Sequence, residues 1–307
     1  MSTPATTALS TQAAAHIAAW YRLPQPGTLL LGGATRTDYV QRQTTNDVGL
    51  LSPQRAVPTV LTNPSARILE VFTLLQHGEH FLLLTQPGHA PGLAAYFKRH
   101  LFFNDQVTVE DASAAWTQLE LYGPQVRNAL ASLGFAQQPS ALDEVVSATW
   151  QDQALYAIQD EYCIRLLLPS ALDLPADWAA LPELDFASRE QLRIQAGRAG
   201  DPEFTDANTP FEVGLGRYVS ASKGCYTGQE VLARQVTYDK VARGLAQLSA
   251  DSAMQPSASV SLDGRTIGQI SSAAVSPTLG PLALAVLRKP FEPGQTVIID
   301  GQPATIR

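Results

Sequence analysis

The sequence predicts an α+β protein with antiparallel sheets and a small all-β unit at its C-terminal end. Short β-rich runs follow one another as meanders, helical patterns stand between groups of them, and turn residues recur at even spacing after residue 242. The chain has 307 residues, more than one small hydrophobic core usually organises. We therefore expect an α+β region of two intertwined subdomains over residues 1–242 and a β-barrel over residues 243–307.

Composition limits the classes of function. Hydrophobic residues make up 45% of the chain and charged residues 16%, without an apolar run long enough to span a membrane. The formal net charge is -7, which repels a phosphate backbone, so we expect no direct nucleic-acid binding, although it does not exclude a local basic patch. Two cysteines are too few for a disulfide framework, a metal site of thiolates or a self-contained iron-sulfur cluster. No signal or transit peptide is evident, and a cytoplasmic location is expected.

The first elements alternate between helix and strand. Residues 11–21 predict a helix, because alanines surround Trp20 at helical spacing and a proline follows. An apolar run at residues 28–31, closed by two glycines, predicts a strand and a turn. Thr37 is placed to cap a helix that ends before the polar loop at residues 44–47.

A hairpin and a longer meander follow. The β-rich runs at residues 67–75 and 80–85 flank a short turn that contains glycine, which predicts an antiparallel hairpin. Apolar periodicity then predicts two helices, at residues 90–100 and 125–133. Strands are predicted at residues 106–110, 116–121, 145–150, 154–159 and 162–168.

The last third contains one more helix before the all-β unit. Ser188 predicts the start of this helix, because Gln191 stands where it would complete a capping box. After Arg243 the short β runs are separated by Asp-Gly, Gly-Pro and Pro-Gly pairs, a spacing typical of a small barrel.

Residues 223–230, with the sequence KGCYTGQE, form the most informative segment. Thr227 and Glu230 stand three residues apart before an apolar-periodic run, which predicts a capping box and a helix that starts at Gly228. Cys225 would then lie just outside a helix N-terminus.

This position favours a reactive thiol at Cys225. The helix dipole and the neighbouring Lys223 would both stabilise a thiolate, and Gly224 and Gly228 would leave room for another molecule. We expect the thiol to lie at the mouth of a cavity. The alternative is that Cys225 is a small buried apolar residue, as we expect for Cys163 within its apolar run.

The segment KGCYTGQE resembles the signature of the YgfZ family, folate-binding proteins related to the glycine-cleavage T-protein that support iron-sulfur enzymes. Three other stretches are similar to that superfamily. Residues 39–48 resemble its "LQGQLTNDV" segment, residues 193–197 its "R-I-x-A-G" helix, and residues 268–285 its C-terminal barrel.

The resemblance implies a T-protein-like ring of two antiparallel-sheet α+β units and a barrel, with tetrahydrofolate, or a one-carbon derivative of it, in a central pocket. It implies an accessory protein that supports assembly or repair of iron-sulfur enzymes, including tRNA-modifying ones. Folate and iron-sulfur client or assembly proteins would be its partners. The alternative is a folate-dependent aminomethyltransferase, which two departures disfavour: Gln195 replaces a pterin-binding glutamate, and Glu70-Val71 replaces a pair of aspartates.

Candidate site residues follow from the motif and from the chemistry of folate. A flat pterin needs apolar or aromatic walls with a few polar groups, and the glutamate tail needs cations. Each candidate also has a simpler reading as a capping, core or solvated side chain. Cys225 and Lys223 are the predicted working groups, and the predicted folate contacts are Asn46, Phe72, Gln195, Glu212, Tyr226 and Arg234. Lys223 and Arg243 could also meet the tail of the folate.

Overall fold

A computed structural model of the chain describes residue 14 and residues 17–307. The strands form two five-stranded sheets and a closed six-stranded barrel. The predicted α+β class, with antiparallel sheets and a C-terminal barrel, is confirmed. No helix of the described residues is long and apolar enough to cross a membrane.

The described helices and strands have the following bounds. The helices are α1 (Arg36–Gln43), α2 (Ala90–Arg99), α3 (Val126–Ser132), α4 (Phe186–Gln195) and α5 (Gln229–Thr237). The strands of the two sheets are β1 (Ala19–Arg22), β2 (Gly27–Gly32), β3 (Val57–Thr62), β4 (Ile68–His77), β5 (His80–Thr85), β6 (Thr108–Asp111), β7 (Trp116–Tyr122), β8 (Val145–Trp150), β9 (Gln153–Gln159) and β10 (Ile164–Pro169). The strands of the barrel are β11 (Arg243–Ala250), β12 (Ser259–Leu262), β13 (Arg265–Ser276), β14 (Gly280–Arg288), β15 (Thr296–Ile299) and β16 (Gln302–Ile306).

Contacts divide the chain into two compact units, each built from separate segments. The first unit contains the described residues up to Leu61, residues 70–185 and residues 222–226. The second unit contains residues 62–69, 186–221 and 227–307. The barrel strands begin at Arg243, and the predicted division at residues 242 and 243 stays a prediction.

The first unit holds both sheets and their cores. One sheet has the strand order β3-β4-β5-β2-β6, and its core includes Leu29, Tyr39 and Phe97. The other has the order β1-β7-β10-β9-β8, and its core includes Leu119 and Leu166. One apolar face of each sheet packs against a helix, and the opposite faces of the two sheets share a further core that includes Leu82 and Leu167.

The second unit holds the barrel, whose strand order is β11-β14-β13-β12-β15-β16. Its interior is filled by small and branched side chains, among them Leu248, Val260 and Leu287. Helix α4 packs beside it, where Ile194 contacts Leu282 and Leu284. Closure leaves this sheet no free edge.

Most predicted strands and helices are present, but strand β3 was not predicted and some boundaries differ. The predicted hairpin is confirmed as β4 and β5, which are paired up to His77 and His80 next to the turn. Five of the eleven residues of the predicted helix over residues 11–21 lie outside the described residues, and its end was wrong. Strand β1 occupies Ala19–Arg22, because Trp20 pairs with Leu121 of β7. Such pairing overrides local helical spacing.

Two predicted helix caps were also wrong. Helix α1 begins at Arg36, because the carbonyl of Thr35 already accepts the first hydrogen bond, from the Tyr39 N–H at 2.9 Å. Helix α4 begins at Phe186, so Ser188 lies inside the helix, where it is fully buried. In neither helix does the predicted residue form the N-cap, and strand β6 likewise starts two residues later than predicted.

Candidate functional site

Lys223 ties the cysteine segment to the first unit. Its side chain is buried, and the Nζ ammonium donates hydrogen bonds to the main-chain carbonyls of Gln41 at 2.6 Å, Thr44 at 2.6 Å and Asn46 at 2.7 Å. Two of these carbonyls belong to the C-terminal end of α1, where carbonyls lack partners within the helix. Segment 222–226 is thereby anchored to the loop after α1.

Burial and a neighbouring charge shift the pKa of Lys223 in opposite directions. Burial lowers the pKa of Lys223 to about 8, and the nearby Asp47 carboxylate acts in the opposite direction. The amine therefore remains an ammonium at pH 7, and the negative end of the α1 dipole favours that form. An ammonium has three donors and no acceptor, which matches three converging carbonyls.

The loop that receives Lys223 is held by its own hydrogen bonds. Asn46 donates from its backbone N–H to the Thr59 hydroxyl at 2.9 Å and from Nδ2 to the Pro58 carbonyl at 2.7 Å. Its Oδ1 accepts from the Asp47 N–H at 3.0 Å. The side-chain amide of Asn46, which was predicted to bind the edge of a pterin, therefore already forms hydrogen bonds within the first unit.

Tyr226 lies beside the Lys223 ammonium. The Nζ atom is 5.2 Å from the centre of the Tyr226 ring, within the range of a cation–π contact. The ring is 9% exposed, and burial raises the pKa of the phenol to about 12. Within the part of the chain that the structure describes, the hydroxyl forms no hydrogen bond, and it is not one of the buried polar atoms that lack a partner, so its tip is open to solvent or a ligand. A protonated hydroxyl of this kind can bind a polar ligand group.

Cys225 is exposed and unbonded to any other cysteine, whereas Cys163 is buried. The two predictions of accessibility are confirmed. Next to Cys225, a Cβ placed on Gly224 would meet no atom within 4 Å, so the space beside the thiol is open. A cleft of about 500 Å³ in the first unit and one of about 1080 Å³ in the second are lined by other residues, so neither supports the predicted cavity mouth.

Helix α5 starts for a different reason than predicted. Its N-cap is Gly228, with φ at 85° and without a side-chain cap hydrogen bond, so the capping box of Thr227 and Glu230 was wrong. A Cβ on Gly228 would lie 2.8 Å from the Asn63 carbonyl oxygen and 3.0 Å from the Ala66 Cα. The room at this glycine is therefore taken by the chain's own backbone, not left for another molecule.

Glu212 is the centre of a polar cluster in the second unit. Its carboxylate accepts from the Thr209 N–H at 2.8 Å and pairs with Arg67 at 3.2 Å and Arg243 at 2.9 Å. Burial alone would raise the pKa of Glu212, but Arg243, the Thr209 N–H and Arg67 together hold it below its ordinary value. The Glu212 carboxylate is thus ionised, and its oxygens already pair with these partners.

The remaining predicted contacts are dispersed. Phe72 belongs to a core of the first unit and meets the Phe97 ring edge-on at 6.2 Å. Gln195 ends α4 in the second unit, where its Oε1 accepts from the Ser276 hydroxyl at 3.2 Å. Arg234 is exposed on α5 and pairs with Glu230 at 2.5 Å. Their roles toward folate stay predictions.

Sequence reasoning missed the partners of two first-unit residues that it had singled out, Lys223 and Glu70. Gln41 and Thr44, the partners of Lys223, lie about 180 residues away in the chain, and their contribution comes from main-chain carbonyls, which no residue type reveals. Glu70, buried on β4, pairs with His89 at 2.8 Å. Burial raises the pKa of Glu70, while His89 acts in the opposite direction.

The family comparison matches residues 18–157 to the GCVT N-terminal domain. The whole chain superposes on the crystal structure of the glycine cleavage system aminomethyltransferase T from Bartonella henselae with a TM-score of 0.86 at 19% identity, covering 100% of this chain and 89% of that one. This likeness shows that the fold is that of a T-protein.

Three curated relatives are similar over most of the chain. A putative chloroplastic transferase of Arabidopsis thaliana is 26% identical over 80% of this chain and 59% of its own length. The aminomethyltransferase of Pelodictyon phaeoclathratiforme is 25% identical over 89% of this chain and 80% of its own. The tRNA-modifying protein YgfZ of Pectobacterium carotovorum is 28% identical over 66% of this chain and 61% of its own.

These matches support the glycine-cleavage T-protein superfamily as the wider group to which the chain is related. The chain spans less than two thirds of the Arabidopsis and Pectobacterium relatives.

Proposed function

We propose that this protein is a tetrahydrofolate-binding accessory protein that supports the assembly or repair of iron-sulfur enzymes, including enzymes that modify tRNA. The observation that carries the proposal is the exposed thiol of Cys225 on a segment anchored by Lys223. A relative named for tRNA modification supports the same reading.

The chemistry of the thiol defines what it could do. One cysteine cannot hold a cluster alone, so Cys225 would supply a ligand shared with a client protein, or attack a client disulfide as a thiolate, forming a transient mixed disulfide and releasing the second client thiol. Exposure is a requirement of either role. Lys223 would act as a positioning residue, because its ammonium donates hydrogen bonds to three main-chain carbonyls of the first unit.

The folate half of the proposal rests mainly on Tyr226. Its buried ring and its hydroxyl without a partner among the described residues fit an aromatic ligand with polar edges. The amide of Asn46 and the carboxylate of Glu212 are bonded within the chain, so we expect them to shape their surroundings more than to bind the pterin directly.

The test is rescue of an iron-sulfur enzyme in cells that lack the protein. C225A should fold normally and fail to restore the activity of the enzyme. C163A is the matched control, since it makes the same change at the buried cysteine, and it should rescue if it remains folded. Full rescue by C225A would remove the thiol from the mechanism.

A second candidate is a one-carbon transferase of the aminomethyltransferase type. The relatives with that name and the Glu70–His89 pair favour it, because a buried carboxyl with a raised pKa can act as a general acid or base. It predicts methylene-tetrahydrofolate formation from an amine donor and its loss in E70Q. Absence of turnover in the wild-type protein would leave the accessory role.

A further inference from the structure

A cleft of about 1080 Å³ in the second unit is strongly basic, although the chain as a whole carries a formal charge of -7. It lies where the start of β11 and the end of β14 meet the loop after α5. Two acidic side chains, Glu212 and Asp239, also line it. The basic side chains are Arg67, Lys240, Arg243, Arg288 and Lys289.

The positive charges of the cleft are only partly balanced. Glu212 is shared between Arg67 and Arg243, so one carboxylate serves two guanidinium groups. Lys240, Arg288 and Lys289 are exposed and form no ion pair within the described part of the chain. Five basic against two acidic side chains leave a formal excess of three positive charges.

The barrel brings two of these basic residues to neighbouring positions on adjacent strands. Arg243 of β11 and Arg288 of β14 are opposite partners in the antiparallel register. Like charges in this arrangement destabilise a sheet. Lys289 adds a third, and its Cε would lie 3.0 Å from a Cβ on Gly244, so its stem lies along β11. An anion bound between these side chains would relieve the repulsion.

We propose that this cleft binds a small polyanion, a flexible chain with two or more adjacent phosphate or carboxylate groups. The volume suits a ligand of nucleotide size. Arginine forks bind such groups through paired hydrogen bonds and lysines contribute compact charges, and both are present. Phosphate chains and oligo-γ-glutamate share this chemistry, and the site does not depend on the chain binding folate elsewhere.

The test is calorimetric titration of the full chain at low ionic strength with inorganic triphosphate, with tri-γ-glutamate and with a short single-stranded RNA. The variant R288Q/K289Q removes two exposed charges that Glu212 does not engage. The matched control K98Q/R99Q removes an exposed lysine and arginine, also adjacent in the chain, from α2 of the first unit. Thermal unfolding of both variants verifies that they fold.

We expect the wild type and K98Q/R99Q to bind at least one of the two short probes, with an affinity that falls as salt is added. R288Q/K289Q should bind it at least about fivefold more weakly, as expected for the loss of two partly exposed charge pairs. The probe that binds more tightly identifies the source of the anionic groups. Failure of both short probes, with or without binding of RNA, or equal loss of affinity in the two variants, would overturn the proposal.

Discussion

At the scale of single residues, Lys223 explains why a lysine precedes the motif cysteine by two positions. A buried ammonium is costly unless its donors are satisfied, and here three carbonyls satisfy them. The motif made this lysine conspicuous, and we predicted that it would stabilise a thiolate. Its observed partners are main-chain atoms distant in sequence, which no local pattern encodes.

We expect K223M to destabilise the protein by about 2–4 kcal/mol, because it leaves three buried carbonyls without their donor. Methionine retains most of the apolar stem, so the loss reports on the ammonium. Chemical denaturation measures the free energy of unfolding. K98M, at an exposed lysine of α2, is the control and should change it by less than about 0.5 kcal/mol. Equal stability of the two variants would contradict the anchoring role.

A second residue-scale prediction concerns Glu212 and acid stability. Its folded-state pKa lies below its ordinary value, so its ion pairs stabilise the protein at neutral pH, and this contribution is lost as the pH falls through the folded pKa. E212Q should therefore be less stable at pH 7 by about 1–3 kcal/mol, with a difference from the wild type that shrinks in acid. Urea denaturation between pH 7 and pH 3 measures this. A difference independent of pH would refute it.

At the scale of elements, the positions of most strands and helices were predictable, but the contacts that start the helices were not. A strand such as β5 consists of a continuous apolar run, and its partner β4 precedes it across a short turn. Helix starts were inferred from capping residues, but α5 starts where Gly228 fits against the backbone of residues 63–66. That contact joins distant parts of the chain, so the residues near the helix could not reveal the contact.

The close approach at Gly228 gives a direct prediction. G228A should destabilise the protein by about 2 kcal/mol or more, because the residue has positive φ and its Cβ would overlap the backbone of Asn63 and Ala66. G224A in the same motif is the control, since its Cβ would enter open space. Thermal unfolding of both variants measures the difference. A G228A protein as stable as G224A would show that the strand and loop can move aside.

At the scale of the whole molecule, the sequence predicted the class and the barrel, but it did not mark residues 222–226 as a separate segment of the first unit. The meanders and the regular turn spacing reflect local rules, and they indicated the α+β class and the closed barrel. The five residues 222–226 belong to the first unit, while the residues on either side of them belong to the second. Nothing in their composition marks this change, because the Lys223 contacts create it.

The molecule thus combines an aromatic side chain suited to a ligand and an exposed thiol on one anchored segment. If Tyr226 serves folate and Cys225 serves a client protein, the two functions should be separable by substitution. Y226F keeps the ring and removes only the hydroxyl that lacks a partner within the described residues. C225A keeps the whole of Tyr226.

Calorimetric titration of the purified protein with tetrahydrofolate tests this account most directly. The wild type and C225A should show the same saturable binding, and Y226F should bind about three- to tenfold more weakly, the loss expected for one hydrogen bond. Absence of wild-type binding at millimolar ligand, or a loss in C225A as large as in Y226F, would contradict a folate-binding protein with a separate working thiol.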